Sequence, residues 1–277
     1  MGVSVTQIPF KFNSSRDGWT YVSIGQLDRG PRNMLTQPKV LLRRILHMCG
    51  IDMHRYVPAH DVWYRRLRIL EENRISLALD VGAHFGEFGL GLRTSGYRGR
   101  LVSFEPIAES FLKLRENAAS DDKWDCYQVA LGEADGSAEM HVAGISQSSS
   151  ILPMLDRHVI AAPESAYVRS ELITVTSLDH LRPELTGCDD EIYLKMDVQG
   201  YEMQVLRGAA NTMSQVRVVE TEMSLVPLYG GQVLIREMID YLTSAGFDLV
   251  SCEREFVDPR SAHVLQVDGI FVRRCGT

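Results

Sequence analysis

Cysteine is sparse in this 277-residue chain and badly placed for cross-linking: Cys49, Cys126, Cys188, Cys252 and Cys275 are odd in number, and no two stand close together. That scatter excludes a disulfide framework and a zinc ligand set, both of which need paired spacings. It fits a reducing compartment, so a cytoplasmic location is expected. Basic charge is also short. Lysine and arginine number 29 against 36 acids, a net charge of −7, which argues against a nucleic-acid partner or broad attachment to an anionic membrane. Long hydrophobic runs are missing: nothing approaches the ~20 apolar residues needed to cross a bilayer. Residues 1–30 contain no apolar core of the secretory-signal kind. Internal repeats and low-complexity tracts are absent as well. What is left, 45% hydrophobic and 23% charged residues, is ordinary for a soluble globular chain.

The most informative stretch is Leu77-Ala-Leu-Asp-Val-Gly-Ala-His-Phe-Gly86. A short apolar run delivers Asp80 into a glycine turn at Gly82 and Gly86. Leu101-Val-Ser-Phe-Glu105 repeats the pattern and is followed by Pro106. Two strands that end in acids around a glycine turn suit a ribose-bearing ligand, whose hydroxyls Glu105 can accept and which bare backbone can approach closely. The dinucleotide fingerprint Gly-x-Gly-x-x-Gly is not there, since positions 84 and 87 are His84 and Glu87. A pyrophosphate also wants no negative charge nearby. Acids at Asp80 and Glu87 instead fit a cationic ligand, the amino and sulfonium groups of S-adenosylmethionine, so a methyl-donor site is expected.

Residues 1–73 read as an extension, partly helical and a candidate substrate cap or dimerisation element. It includes breakers at Asn13-Ser-Ser15 and Gly30-Pro31, a basic amphipathic helix over 38–50 and a helix over 61–73 with Asp61 as N-cap. From there to residue 277, strands and helices alternate, which implies α/β architecture with a mostly parallel sheet. Strands are expected at 77–81, 101–105, 124–131, 172–175, 192–197 and 216–221, a short hairpin partner at 137–142, and a closing antiparallel pair at 247–251 and 267–272. Helices are expected at 87–94, 107–118, 201–210 and 231–245. Residues 144–170, with Ser148-Ser-Ser150, Pro153 and Pro163, have the least pattern; a long loop in such a domain is usually functional. Ligands of open α/β sheets bind beyond the carboxyl ends of the strands. Asp80, Glu105, Ala130, Asp197 and Glu220 all fall near such ends.

Methyl transfer from a sulfonium is an in-line displacement in which positioning supplies much of the rate, but a hydroxyl acceptor needs a base or a pKa-lowering cation. Asp197 is the first candidate base. Glu220 and Glu222, two apart on one strand face, are candidates for substrate hydroxyls or, with Asp197, for a divalent ion such as magnesium. His141 and His158 are alternative bases by their near-neutral titration. Lys195 is a candidate partner of Glu202 or Glu220, and Tyr201 and Tyr229 are candidate ring-stacking residues.

Several of these segments together resemble one family. Leu79-Asp-Val-Gly-Ala-His-Phe-Gly86, Phe104-Glu-Pro106, Ala130-Leu-Gly132, Leu194-Lys-Met-Asp-Val-Gln-Gly-Tyr-Glu202 and Leu206-Arg-Gly208 are similar, in order and spacing, to the FkbM-type S-adenosylmethionine-dependent methyltransferases, over about residues 77–250. The resemblance implies a class I methyltransferase (Rossmann-like) fold, a seven-stranded sheet with its last strand antiparallel. It also implies O-methylation of a small-molecule hydroxyl, with a sugar or a glycolipid or polysaccharide precursor as first choice. A polyketide or other natural-product hydroxyl is the alternative, as is a donor-binding module without turnover. By motif position, Asp80, Gly82, His84 and Gly86 would surround the methionine end of the donor. Glu105 and Pro106 would hold the ribose, and Ala130 and Leu131 would flank the adenine. Ser148 to Ser150 match a serine cluster of the family, and Asp197, Gly200 and Glu202 its Asp-x-Glu-Gly-x-Glu segment. His84 stands where the family usually has Asn, and Gln199 where it usually has Glu.

Overall fold

The structure, a computed structural model, describes Met48 and residues 57–274. The expected helix over 38–50 lies, Met48 apart, outside the described residues. The chain divides into two compact units, Met1–Val62 and Trp63–Thr277, and the second carries the sheet.

Five strands build its parallel part: β1 (Leu77–Val81), β2 (Arg100–Phe104), β3 (Trp124–Tyr127), β7 (Ile192–Met196) and β8 (Val216–Ser224). Every residue of β1 is buried, as expected of a central strand covered on both faces. The order is β3-β2-β1-β7-β8-β10-β9, where β9 (Phe247–Val257) and β10 (Val264–Arg273) form the antiparallel closing pair. Strand order reverses between β1 and β7, so the crevice at their carboxyl ends is the switch point where such sheets hold ligands. The sheet splits the core by strand alternation. Leu77, Leu79 and Val81 join Leu194, Met196 and Val219 on one face. Ala78, Tyr193 and Val218 face the other, with Leu70 of α1 (Val62–Glu72), Phe88 and Leu92 of α2 (Glu87–Ser95) and Leu114 of α3 (Ala108–Ala118).

A second, three-stranded sheet runs β4-β6-β5, from Ala130–Leu131, Tyr167–Thr176 and Gly136–Ala143. Here the expected elements need correction. The single strand over 124–131 breaks after Tyr127: β4 leaves the main sheet and pairs with β6 in parallel, and the Gly132 N–H donates to the Thr176 carbonyl at 2.9 Å. The strand expected at 172–175 begins five residues earlier, at Tyr167, paired antiparallel with β5. Residues 144–170 are thus not one irregular loop, and they contain helix α4 (Asp156–Ala161). Helices α5 (Leu178–Leu185), α6 (Glu202–Arg207) and α7 (Ile235–Ser244) complete the layers. The last begins later than residue 231, since Gly231 is left-handed (φ +79°) and Leu234 bridges Ser224.

Candidate functional site

The tips of β1 and β7 are locked together. Gly82 is left-handed (φ +77°), and a Cβ there would fall 1.9 Å from the Asp197 carbonyl oxygen. The Asp197 N–H in turn donates to the Val81 carbonyl at 3.0 Å. Glycine at this point serves contact between two strand tips. Gly86 is also left-handed, but a Cβ on it would meet Leu114 and Trp124. Its place is in helix packing, and it does not line the pocket described next.

That pocket runs along the switch point. Gly82, His84, Glu105, Pro106 and Asp197 line it. Ile107, Ala130, Leu131 and Met140 make an apolar wall, and Ser146, Gln147, Ser149, Gln199 and Tyr201 close it. Glu105 is 5% exposed. One of its oxygens accepts the His84 N–H at 2.8 Å and the other the Ile107 N–H at 2.9 Å. Each oxygen thus keeps a lone pair for a ligand hydroxyl. Burial pushes this carboxyl up to about 8, against the pull of the two N–H groups. His84, itself left-handed (φ +50°), ties the glycine turn to its surroundings. Its Nε2 lies 2.7 Å from Ser146 Oγ and its Nδ1 3.0 Å from Glu87.

Asp80 is not on the pocket wall. It is fully buried beneath the turn, with one oxygen 3.1 Å from Lys195 Nζ but off-line for a hydrogen bond, and the other receiving Ser103 Oγ at 3.4 Å. Burial raises its carboxyl in spite of Lys195. Lys195 also reaches Asp197 at 3.7 Å and the Gly82 carbonyl at 3.3 Å, so its partners are Asp80 and Asp197, not Glu202 or Glu220. Burial alone would lower the ammonium, yet these carboxylates carry it above the ordinary lysine value. Glu202 instead caps the turn after β7, accepting the Val198 and Gly200 N–H groups at 3.2 and 3.1 Å.

The candidate bases separate. Asp197 is the half-exposed one, its side chain 43% accessible on the pocket rim, with Gln199 Nε2 donating to it at 2.8 Å. Glu220 lies buried under α1, where both oxygens are taken by Arg66 and one also by the Tyr193 hydroxyl. Glu222 accepts amide protons from Gln199 at 3.1 Å and Gln266 at 2.7 Å. Glu220 therefore goes to other partners than Asp197, whereas Glu222 shares the Gln199 amide with it. Among the described residues no cluster of three or more His, Cys, Asp or Glu is arranged to hold a metal ion. His141 stacks on Tyr167 and meets Ser170 at 3.3 Å; its neighbour Met140, not His141, reaches the pocket. His158 is buried against Tyr229 and Phe256, where burial lowers it to about 4. Tyr229 is fully buried and donates to Gln199 at 2.6 Å, so it offers no open stacking face, whereas Tyr201 lies on the wall.

The serine cluster is a brace. Ser150 donates to the Gln199 carbonyl at 2.7 Å, and Ser149 accepts the Ala143 N–H at 3.0 Å. Ser146, Gln147, Ile107 and Met140 were not anticipated. The first two come from the turn after β5, and only the position of the second sheet brings them to the crevice.

A Rossmann-like sheet of order 3-2-1-4-5-7-6, counted along the main sheet alone, with a buried acid just after its second strand, is that of a class I methyltransferase. The description Methyltransferase FkbM domain matches residues 80–249, and the chain belongs to the FkbM methyltransferase family. It is similar to the 2-O-methyltransferase NoeI of Sinorhizobium fredii (strain NBRC 101917 / NGR234), 26% identical over 194 residues, which span 68% of this chain and 79% of that protein. Among solved structures it is similar to methyltransferase FkbM from Methylobacillus flagellatus KT, with 13% identity, TM-score 0.44, and coverage of 84% of this chain and 70% of that one. A TehB-like S-adenosylmethionine-dependent methyltransferase from Corynebacterium glutamicum ATCC 13032 Kitasato has 11% identity, TM-score 0.40, and coverage of 85% and 96%. No helix among the described residues is long and apolar enough to cross a membrane.

Proposed function

We propose that the protein transfers a methyl group from S-adenosylmethionine to a hydroxyl of a small molecule, with a sugar or a glycolipid or polysaccharide precursor as acceptor. The arrangement around Glu105 carries this reading: a buried carboxylate, fixed by two backbone N–H groups, keeps one lone pair per oxygen on a pocket whose far wall is apolar. That fits a ribose between a polar amino-acid end and an adenine. The relative named as a 2-O-methyltransferase supports oxygen as the accepting atom. When bound, the donor supplies a methyl group already activated on a sulfonium.

The chain's own residues do the rest. The Gly82 turn and Asp197 hold the end of the pocket where the methyl group would lie. Lys195 and Gln199 fix the Asp197 carboxylate from two sides, and Asp197 takes the hydroxyl proton as the methyl group moves. Asp197→Asn is expected to cut turnover by about 10²-fold or more while calorimetry with S-adenosylhomocysteine shows donor affinity within a few-fold of wild type. Near-normal turnover would remove the base from this position. The reading as a whole is tested by calorimetry with S-adenosylhomocysteine, then by mass spectrometry of products from sugar and polyketide hydroxyl panels. Binding without transfer to any acceptor would favour a donor-binding module.

A further inference from the structure

A second cavity, of about 240 Å³, opens on the other side of the β1 and β7 tips. It shares Gly82, His84, Gln147 and Asp197 with the donor pocket. Ligand sites of drug size usually enclose ~300–1,000 Å³, so this volume suits one ring better than an oligomer. Asp197 is the carboxylate common to both walls. A hydroxyl that must touch the donor's methyl group and its base together has to sit on this shared rim. Gln147 is exposed there, with an amide able to donate and accept.

The deeper walls have a definite chemistry. Trp63 and Phe88, with ring centroids 5.9 Å apart, supply an apolar side. Both cations that line the cavity are already committed. Arg66 forks onto Glu220 and reaches Asp268 at 3.7 Å, and Lys195 is held by Asp80 and Asp197. Glu255 of β9 and Asp268 of β10 line the cavity too, and Arg66 and Lys195 act on Glu255 through space. Burial and neighbouring acids raise both carboxyls, Asp268 to about 8, so that it is largely protonated near pH 7; Glu87 and Asp197 also line the cavity. An anionic group entering here would meet carboxylates and find no free cation.

Resting on the donor and acceptor reading above, we propose that this cavity receives the acceptor and that the ring it methylates carries no anionic group. A uronate or a ring phosphate is rejected at this wall, while a neutral or amino-bearing polyol is admitted.

The test uses the full-length protein with saturating S-adenosylmethionine and three probes: a neutral methyl hexoside, the corresponding methyl 2-amino-hexoside and the methyl uronide. Rates come from S-adenosylhomocysteine release, with products confirmed by mass spectrometry. The expected kcat/KM for the better of the first two exceeds that for the uronide by about tenfold or more, the scale of like-charge rejection. Glu255→Lys should erase or invert that ratio, with S-adenosylhomocysteine affinity unchanged by calorimetry. Equal or better use of the uronide by wild type, an unaltered ratio in Glu255→Lys, or no transfer to any probe while S-adenosylhomocysteine binds would each overturn the proposal. Absence of S-adenosylhomocysteine binding would remove the donor reading itself, and this inference with it.

Discussion

Glu105 shows how much one side chain is asked to do. Its carboxyl stands near 8 without ligand, yet ribose hydroxyls donate best to the ionised form. Donor binding must then expel a proton at any pH below that value. S-adenosylhomocysteine affinity is expected to rise with pH and level off above about 8, with a slope of up to about tenfold per pH unit below it. Glu105→Gln should flatten the profile and weaken binding at high pH by at least about tenfold, since hydrogen bonds to a charged group are worth ~1.5–3 kcal/mol each. Isothermal calorimetry in buffers of different ionisation heat reads both the affinity and the released proton; a flat wild-type profile refutes the assignment. Gly82 answers to a different force. With its Cβ position 1.9 Å from the Asp197 carbonyl oxygen, Gly82→Ala must part the two strand tips. A loss on the order of 2–4 kcal/mol in urea unfolding is expected. The sequence marked Glu105, Gly82, His84, Pro106, Ala130, Leu131 and Asp197 because short motifs at strand ends carry them. Asp80 and Gly86, marked by the same motif, do not line the pocket, because a motif gives the neighbourhood of a residue but not the direction of its side chain.

At the scale of elements, the parallel strands were legible because burial on both faces leaves short, mostly apolar runs. The second sheet was less so. Val168, Arg169 and Ser170 of β6 are exposed, so the first half of that strand has no one-sided pattern, and pairing with β5 sets it instead. Helix α4 was hidden for a similar reason: six residues are too few to display a helical period. His158 marks what this helix contributes. It is 3% exposed, its Nδ1 lacks a hydrogen-bond partner, and its ring meets Tyr229 edge-on at 5.2 Å. Tyr229 binds Gln199, which binds Asp197, so α4 braces the site through packing. Burial depresses this imidazole from 6.5 to about 4. The stability tied to its neutral form is therefore complete above pH 6.5 and is lost as pH falls toward 4. The loss should be on the order of 2 kcal/mol near pH 4.5. His158→Phe should remove that part of the acid sensitivity in denaturant titrations between pH 7 and about 4.5; an unchanged difference from wild type across the range would show that the histidine does not titrate this way.

Across the whole unit, charge is arranged as a row through the sheet. Ser103, Asp80, Lys195 and Glu220 are successive register partners on β2, β1, β7 and β8, and Arg66 of α1 closes the row on Glu220. Within this row carboxylates and cations alternate beneath the crevice, so each of its charges has an opposite neighbour. Such pairs add little net stability over apolar replacements, but removing one partner leaves a buried charge uncompensated, at ~3–5 kcal/mol. Lys195 is the most consequential member because it touches Asp80 below and Asp197 and the Gly82 carbonyl above. It couples the core to the pocket rim. Lys195→Met should therefore cost about 3–5 kcal/mol, and Asp80→Asn, which keeps the shape and removes the charge left behind, should return part of it when combined. A coupling of about 1 kcal/mol or more in the double-mutant cycle is expected, measured by urea unfolding at pH 7. Because Asp197 also loses a partner in Lys195→Met but not in Asp80→Asn, the double variant should recover stability without recovering turnover. Strictly additive stabilities would mean that Asp80 and Lys195 do not form the charged pair on which the row depends.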